Sequence, residues 1–208
     1  MTDALPDTSS LITHALRRRR LVVDRIFDDI FPYDVRTASS VHWTPVEVAM
    51  RAAQLLARDD RTTILDVGAG IGKFCIVAAA SVKAPVRGIE HRAHFVDVAR
   101  AAAARLKVDV EFVHGTLDDE DPASVGGVYL FNPFGENLCS REDWLDDTVE
   151  LSATRFARDV ATTERFLRDA RAGTRVVTYC GFGGRMPDAY ALVLRESRAG
   201  RLELWEKR

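Results

Sequence analysis

Thr63-Ile64-Leu65-Asp66-Val67-Gly68-Ala69-Gly70-Ile71-Gly72-Lys73 decides how the whole chain is read. The run Ile64-Leu65-Asp66-Val67 leads into glycines at 68, 70 and 72, and a helical pattern starts directly after them. Strand, tight turn and helix in that order form a ligand-holding unit. Glycine tolerates positive φ and lets a ligand approach the backbone, while the free N–H groups of the following helix face that ligand. Two rival glycine motifs do not fit. A dinucleotide fingerprint GxGxxG needs glycine where Lys73 stands, which disfavours an NAD-dependent reductase. A phosphate-binding P-loop needs Ser or Thr after Gly-Lys, and Phe74 follows Lys73.

Outward from this stretch the chain alternates strand and helix patterns, which predicts a mainly parallel sheet with helices on both faces. Strands are expected at 63–67, 86–90, 110–114, 127–132 and 174–180. Helices are expected at 72–81, 92–106 and 146–171, with a loop and possible short helix at 116–125. The last helix carries Val149, Phe156, Val160, Leu167 and Ala170 on one face, a Glu164–Arg168 pair on the other, and Gly173 as a left-handed stop. Ala189 to Glu196 and Leu202 to Glu206 read as a terminal antiparallel hairpin at the sheet edge. The fold class is therefore α/β, a doubly wound seven-stranded sheet with a C-terminal hairpin and an N-terminal helical extension. Residues 1–60 form the extension and 61–208 the main domain, as one structural unit.

In the extension, residues 1–10 read as a polar lead-in, and Ile12, Ala15, Leu16, Val22, Val23, Ile26, Phe27 and Ile30 form a helical stripe over 11–30. Arg17 to Arg20 point in different directions on a helix and read as a solvated face. Phe31-Pro32-Tyr33 breaks the stripe, and a polar linker runs to His42-Trp43. Thr44-Pro45-Val46-Glu47 then predicts a helix start, with Thr44 as N-cap, Pro45 at the first position and Glu47 completing a capping box; this helix ends near Arg58.

In an open α/β sheet, ligands bind beyond the carboxyl ends of the strands where strand order reverses. Asp66 and the glycines end the first strand. Glu90 ends the second, where a carboxylate can accept hydrogen bonds from ribose hydroxyls. The third runs into Gly115-Thr116-Leu117-Asp118, and the fourth ends Leu130-Phe131-Asn132-Pro133-Phe134-Gly135.

Asp66-x-Gly68-x-Gly70-x-Gly72 resembles motif I of the class I S-adenosylmethionine-dependent methyltransferases, and the closing hairpin resembles their sheet edge. The resemblance covers about residues 40–208. It implies S-adenosylmethionine as cofactor, with Asp66, Gly68, Ala69, Gly70 and Gly72 around its methionine part. It also implies Thr116 and Leu117, or else Asp118, beside its adenine. His42-Trp43-Thr44-Pro45 is similar to the segment preceding motif I in amino-methylating members, which implies that Thr44 or its backbone reaches the methionine carboxylate. Asn132-Pro133-Phe134 resembles their Asn-Pro-Pro-aromatic motif, with one proline and an aromatic one place early. It implies N-methylation, the Asn132 side chain and Pro133 carbonyl accepting from the target NH2 and Phe134 packing against its carrier. The competing reading is a strand followed by a proline turn with Phe134 in the core. The order of motifs is also loosely similar to the seven-strand lysine methyltransferases. A catalytically silent partner protein of the same fold is the alternative.

Charge and composition narrow the partners. A net charge of −2 gives no general pull toward nucleic acid or anionic membrane, so the methyl acceptor stays open among a protein side chain, a nucleobase and a small amine. No apolar run approaches the roughly 18 residues of a membrane span. Cys75, Cys139 and Cys180 lack CxxC spacing and read as buried small hydrophobes in a reducing cytoplasm. His91 and His94 stand three apart but have no third ligand, so no metal is expected.

Overall fold

The computed structural model describes residues 8–208. Positions 1–7 of the expected lead-in lie outside the described residues, while Thr8 to Ser10 already belong to the first helix. The elements are α1 (Thr8–Arg17), α2 (Asp24–Phe27), α3 (Tyr33–Arg36), α4 (Ser39–His42), α5 (Val46–Leu56), β1 (Ile64–Val67), α6 (Lys73–Ser81), β2 (Val86–Glu90), α7 (Ala93–Leu106), β3 (Glu111–His114), β4 (Gly127–Phe131), α8 (Ala153–Asp169), β5 (Arg175–Tyr179), β6 (Tyr190–Ser197) and β7 (Arg201–Lys207). The seven strands form one sheet in the order β3-β2-β1-β4-β5-β7-β6. β1 to β5 pair in parallel, and β7 runs antiparallel to both neighbours, so the closing hairpin inserts its second strand beside β5.

Strand alternation builds two cores. Ile64, Tyr129 and Val177 face α1, α5, α6 and α7, whereas Leu65, Val67, Val128, Leu130 and Val176 face Phe166 and Leu167 of α8. Burial on both faces is what makes the parallel strands read as apolar runs rather than alternating ones. β1 and β4 are adjacent, so chain direction across the sheet reverses between them, and Gly68–Gly72 and Asn132–Gly135 emerge side by side at that point.

The extension departs from the expected single stripe. Helix stops at Arg17, the chain crosses exposed Arg18, Arg19 and Arg20, and only short helices follow before α5. Lys73, the residue that breaks the dinucleotide pattern, explains how this segment is fixed. Its side chain is 2% exposed, and its ammonium lies 2.7 Å from both Asp24 and Asp28 and 3.0 Å from the Ser39 hydroxyl. Asp24 also accepts from the Val46 N–H at 2.9 Å, capping α5 across 22 residues of sequence. Thr44 therefore does not cap α5: its hydroxyl pairs with the Tyr129 hydroxyl at 3.1 Å, and Tyr129 stacks on Phe74. Nor does Glu47 complete a capping box, since it binds Arg198 at 2.7 Å.

The helix expected from 146 begins at Ala153. Asp146 accepts from the Thr148 N–H and hydroxyl, a local turn that competes with helix, and Ser152 caps α8 by accepting from the Arg155 N–H. Glu164 and Arg168 approach at 4.0 Å as expected. Gly173 is left-handed (φ +80°), but it lies in the turn to β5, beyond the helix end. Among the described residues no helix is long and apolar enough to cross a membrane. Only Cys75 is buried; Cys139 and Cys180 are exposed, correcting the expectation of three buried thiols.

Replacing Lys73 with Ala leaves Asp28 charged in a nearly closed site and Asp24 without its partner. Because Asp24 is half open to solvent, the expected loss in urea unfolding is about 2 kcal/mol, below that of a fully buried pair. A change under about 0.5 kcal/mol would show that the pair does not hold the extension.

Candidate active site

A cleft of about 240 Å³ opens at the switch point between β1 and β4. Its floor is Gly68 and Gly70, with Ile89 and Glu90 from the end of β2, Gly115 to Asp118 after β3, and Phe131 to Asn137 after β4. Val41, His42 and Trp43 of the extension form one wall, and Leu145, Leu151, Arg155, Asp159 and Thr162 form the other.

The turn after β1 is shaped by its glycines. Gly68 and Gly70 have φ of +71° and +54°, and a side chain on Gly70 would collide with the Trp43 ring packed over it. Gly72 serves packing instead: it starts α6 at φ +79° against Phe112 and Ala99. The Gly70 N–H donates to Glu90 Oε2 at 2.9 Å, and the Arg92 N–H donates to Glu90 Oε1 at 2.9 Å. Glu90 is 5% exposed; burial raises its pKa, opposed by these N–H donors and by the Arg92 charge.

Of the residues singled out from sequence, Gly68, Gly70, Glu90, Thr116, Leu117, Asn132, Pro133 and Phe134 meet in this cleft, while Thr44, Asp66, Ala69 and Gly72 stand behind it. Asp66 alternates to the α6 side of β1, where Cys75 Sγ donates to its Oδ2 at 3.2 Å. Burial pushes its carboxyl up to about 7; the thiol hydrogen bond opposes this and the Glu90 charge adds to it. Thr116 caps the turn Leu117–Asp119, and Asp118 binds Arg165 at 2.9 Å. Phe134 lines the cleft and also packs on the α8-side core, so the two readings of it coexist. Asn132 is left-handed (φ +39°), its N–H bonded to the Gly181 carbonyl and its carbonyl to the Gly135 N–H. Its side chain is exposed on the cleft and makes no hydrogen bond to another described residue, whereas the buried amide of Asn137 bonds the Phe134 carbonyl and the Ser152 N–H. In the loop after β5, Gly181-Phe182-Gly183-Gly184-Arg185, the Gly181 carbonyl accepts from the Asn132 N–H and Phe182 is buried.

Several cleft groups escaped the sequence reading. Arg92 is 4% exposed and binds Glu136 at 2.9 Å and Asp146 at 3.1 Å. Arg155 binds Asp159 at 2.6 Å, and its guanidinium approaches His91 Nδ1 at 3.4 Å. Burial, then the Arg92 and Arg155 charges, lower His91 to about 4, so its ring is neutral at physiological pH. His94 pairs with Asp146 at 3.2 Å, and no group of three metal-ligating side chains exists among the described residues. The Glu90-His91-Arg92 sequence was the available signal for Arg92, and the i,i+4 spacing of Arg155 and Asp159 for that pair.

Comparison with known proteins agrees with this geometry. A family profile described as a methyltransferase domain matches residues 64–146. Residues 64–146 thus match a methyltransferase domain, and the sheet has the fold of class I, Rossmann-like methyltransferases. Its fold is similar to an RNA methyltransferase from Salinibacter ruber in complex with S-adenosyl-L-homocysteine, at TM-score 0.54 and 23% identity, over 79% of this chain and 92% of that one. It is also similar to TrmN from Thermus thermophilus (TM-score 0.62, 17% identity, 82% and 51% covered). A proposed O-methyltransferase from Klebsiella pneumoniae aligns over 96% of this chain and 97% of its own (TM-score 0.60, 16% identity). Among curated protein sequences, none matches the chain. A methyltransferase domain calls for a methyl donor of the S-adenosylmethionine kind. The site fits it: side-chain-free backbone at Gly68 and Gly70 allows close approach, and Glu90 presents a buried carboxylate at the strand end where ribose hydroxyls can donate.

Asp66 supplies a pH test. The folded protein keeps this proton to higher pH than the unfolded chain, so Asp66 contributes stability that is full below the unfolded value near 3.8 and lost as pH rises through about 7. Lowering pH from about 8 to about 6 is expected to gain about 1 kcal/mol in denaturant unfolding from this group. Asp66→Asn, which keeps an acceptor for Cys75, should remove that gain; an unchanged pH slope in the variant would refute the assignment.

Proposed function

We propose that this enzyme transfers the methyl group of S-adenosylmethionine to the nitrogen of an amine or amide acceptor. The unpartnered side-chain amide of Asn132, standing in the cleft at the carboxyl end of β4, is the observation that carries this reading. The bound cofactor supplies an electrophilic methyl on a sulfonium. The chain's own residues supply orientation: the Asn132 side-chain carbonyl and the Pro133 carbonyl accept from the acceptor's N–H groups and aim its lone pair, while Phe134 and Leu151 keep water away. Methyl transfer to a neutral nitrogen needs such positioning more than a strong base.

The cleft wall carries four carboxylates, Glu90, Asp118, Glu136 and Asp159, against two guanidiniums, Arg92 and Arg155. That balance supports an amine of a protein or a small molecule over a polyphosphate backbone; an amine that is cationic in solution gives up its proton to water before its neutral nitrogen takes the methyl. The free thiols of Cys139 and Cys180 support a reducing, cytoplasmic setting.

Calorimetry with S-adenosylhomocysteine and transfer of labelled methyl to panels of amines, hydroxyl compounds and RNA test the proposal. Glu90→Ala is expected to weaken product binding roughly tenfold or more, the worth of hydrogen bonds to a charged group. Asn132→Ala should bind within about threefold of wild type but lose about 100-fold in turnover on an amine, the scale of a lost transition-state hydrogen bond. Methylation confined to hydroxyl compounds would overturn the nitrogen assignment.

A further inference from the structure

Arg92 stands two residues after Glu90, and its polar groups reach Glu90, Glu136 and Asp146. Its main-chain N–H donates to Glu90 Oε1 at 2.9 Å, Nη2 donates to Glu136 Oε1 at 2.9 Å, and Nε donates to Asp146 Oδ1 at 3.1 Å. The guanidinium lies 5.5 Å over the Phe95 ring, and the residue is buried. Glu136 follows Asn132-Pro133-Phe134-Gly135 directly and also accepts from the Leu145 N–H at 2.7 Å. Asp146 begins the turn that delays α8. The segment 133–148 has two short 3-10 turns, at Gly135–Leu138 and Arg141–Asp143, and Arg92 joins it at both Glu136 and Asp146.

We infer that Arg92 is a positioning residue that couples cofactor binding at Glu90 to the placement of segment 133–148, which forms the acceptor side of the cleft. A planar guanidinium can serve two carboxylates in fixed directions at once, and a lysine ammonium at the same place cannot hold that geometry. With Arg92 and the Leu145 N–H on one oxygen, Glu136 ties Arg92 to both ends of the loop. When a ligand's ribose hydroxyls engage Glu90, the carboxylate and the Arg92 backbone hydrogen-bonded to it are ordered together, and the Arg92 side chain carries that ordering to the acceptor segment.

The inference rests on the cofactor reading of Glu90, and amide hydrogen exchange across 133–148 with and without S-adenosylhomocysteine separates the two. In the wild type, the product should bind and slow exchange in this segment by about fivefold or more, the lower end of typical coupling between sites. Arg92→Lys is expected to bind the product within about threefold of wild type yet lose that slowing, a split that mere structural damage would not give. Glu136→Gln, altered in the less buried partner, should lose it as well, and it carries the test if Arg92→Lys fails to fold. Product-dependent protection that persists in a folded Arg92→Lys or Glu136→Gln overturns the coupling. A wild type that does not bind S-adenosylhomocysteine overturns the cofactor reading, and the coupling with it.

Discussion

A carboxylate buried at the end of β2 is the constraint on which the site depends. Glu90 is desolvated, and two backbone N–H groups compensate it, one from the turn after β1 and one from its own strand end. The turn after β1 can present its N–H only because Gly70 accepts φ of +54° beneath Trp43. The carboxylate and the glycine turn thus fix each other: without Glu90 the Gly70 N–H loses its acceptor, and without glycine there the N–H would not point at the carboxylate.

The same turn organises the extension. Lys73 opens α6 and draws Asp24, Asp28 and Ser39 toward it, and Asp24 goes on to cap α5. The helix that begins at the glycine turn therefore holds the segment whose Trp43 closes the turn from above. Burial of an ammonium is costly, and two carboxylates with a hydroxyl make it tolerable. One residue, read from sequence only as the departure from a dinucleotide motif, joins the extension to the sheet.

The parallel strands, the hairpin and the order of helices were legible because each rests on local pattern: apolar runs, a glycine turn and strand spacing. The cleft-lining residues at strand ends were legible for the same reason, since topology alone brings Gly68, Glu90, Thr116 and Asn132 to one edge. What sequence could not give was the partner of each polar side chain. Thr44 had an ideal capping sequence, yet Asp24, distant in sequence, took the Val46 N–H and left Thr44 to Tyr129. Asp66 lay in the motif, but alternation along β1 turned it to Cys75 and away from the cleft. The start of α8 was read too early because Asp146 prefers a side-chain bond to Thr148, and Arg92 pulls it farther from helix. Long-range pairs of charged residues leave little trace in local periodicity.

Backbone strain at the end of β4 narrows the meaning of Asn132. Its φ of +39° is unfavourable for most side chains, and Asn tolerates it better than bulkier residues, so conformation alone accounts for a small polar residue here. Conformation does not account for the side chain, because glycine would accept the same φ with less strain. Cys180 and Gly181 on β5's exit are also left-handed, and the Gly181 carbonyl takes the Asn132 N–H. Adjacent strand exits therefore share the strain that turns an amide into the cleft. The turn thereby sets an exposed amide at the carboxyl end of β4, on the edge of the cleft where Gly68 and Glu90 also emerge.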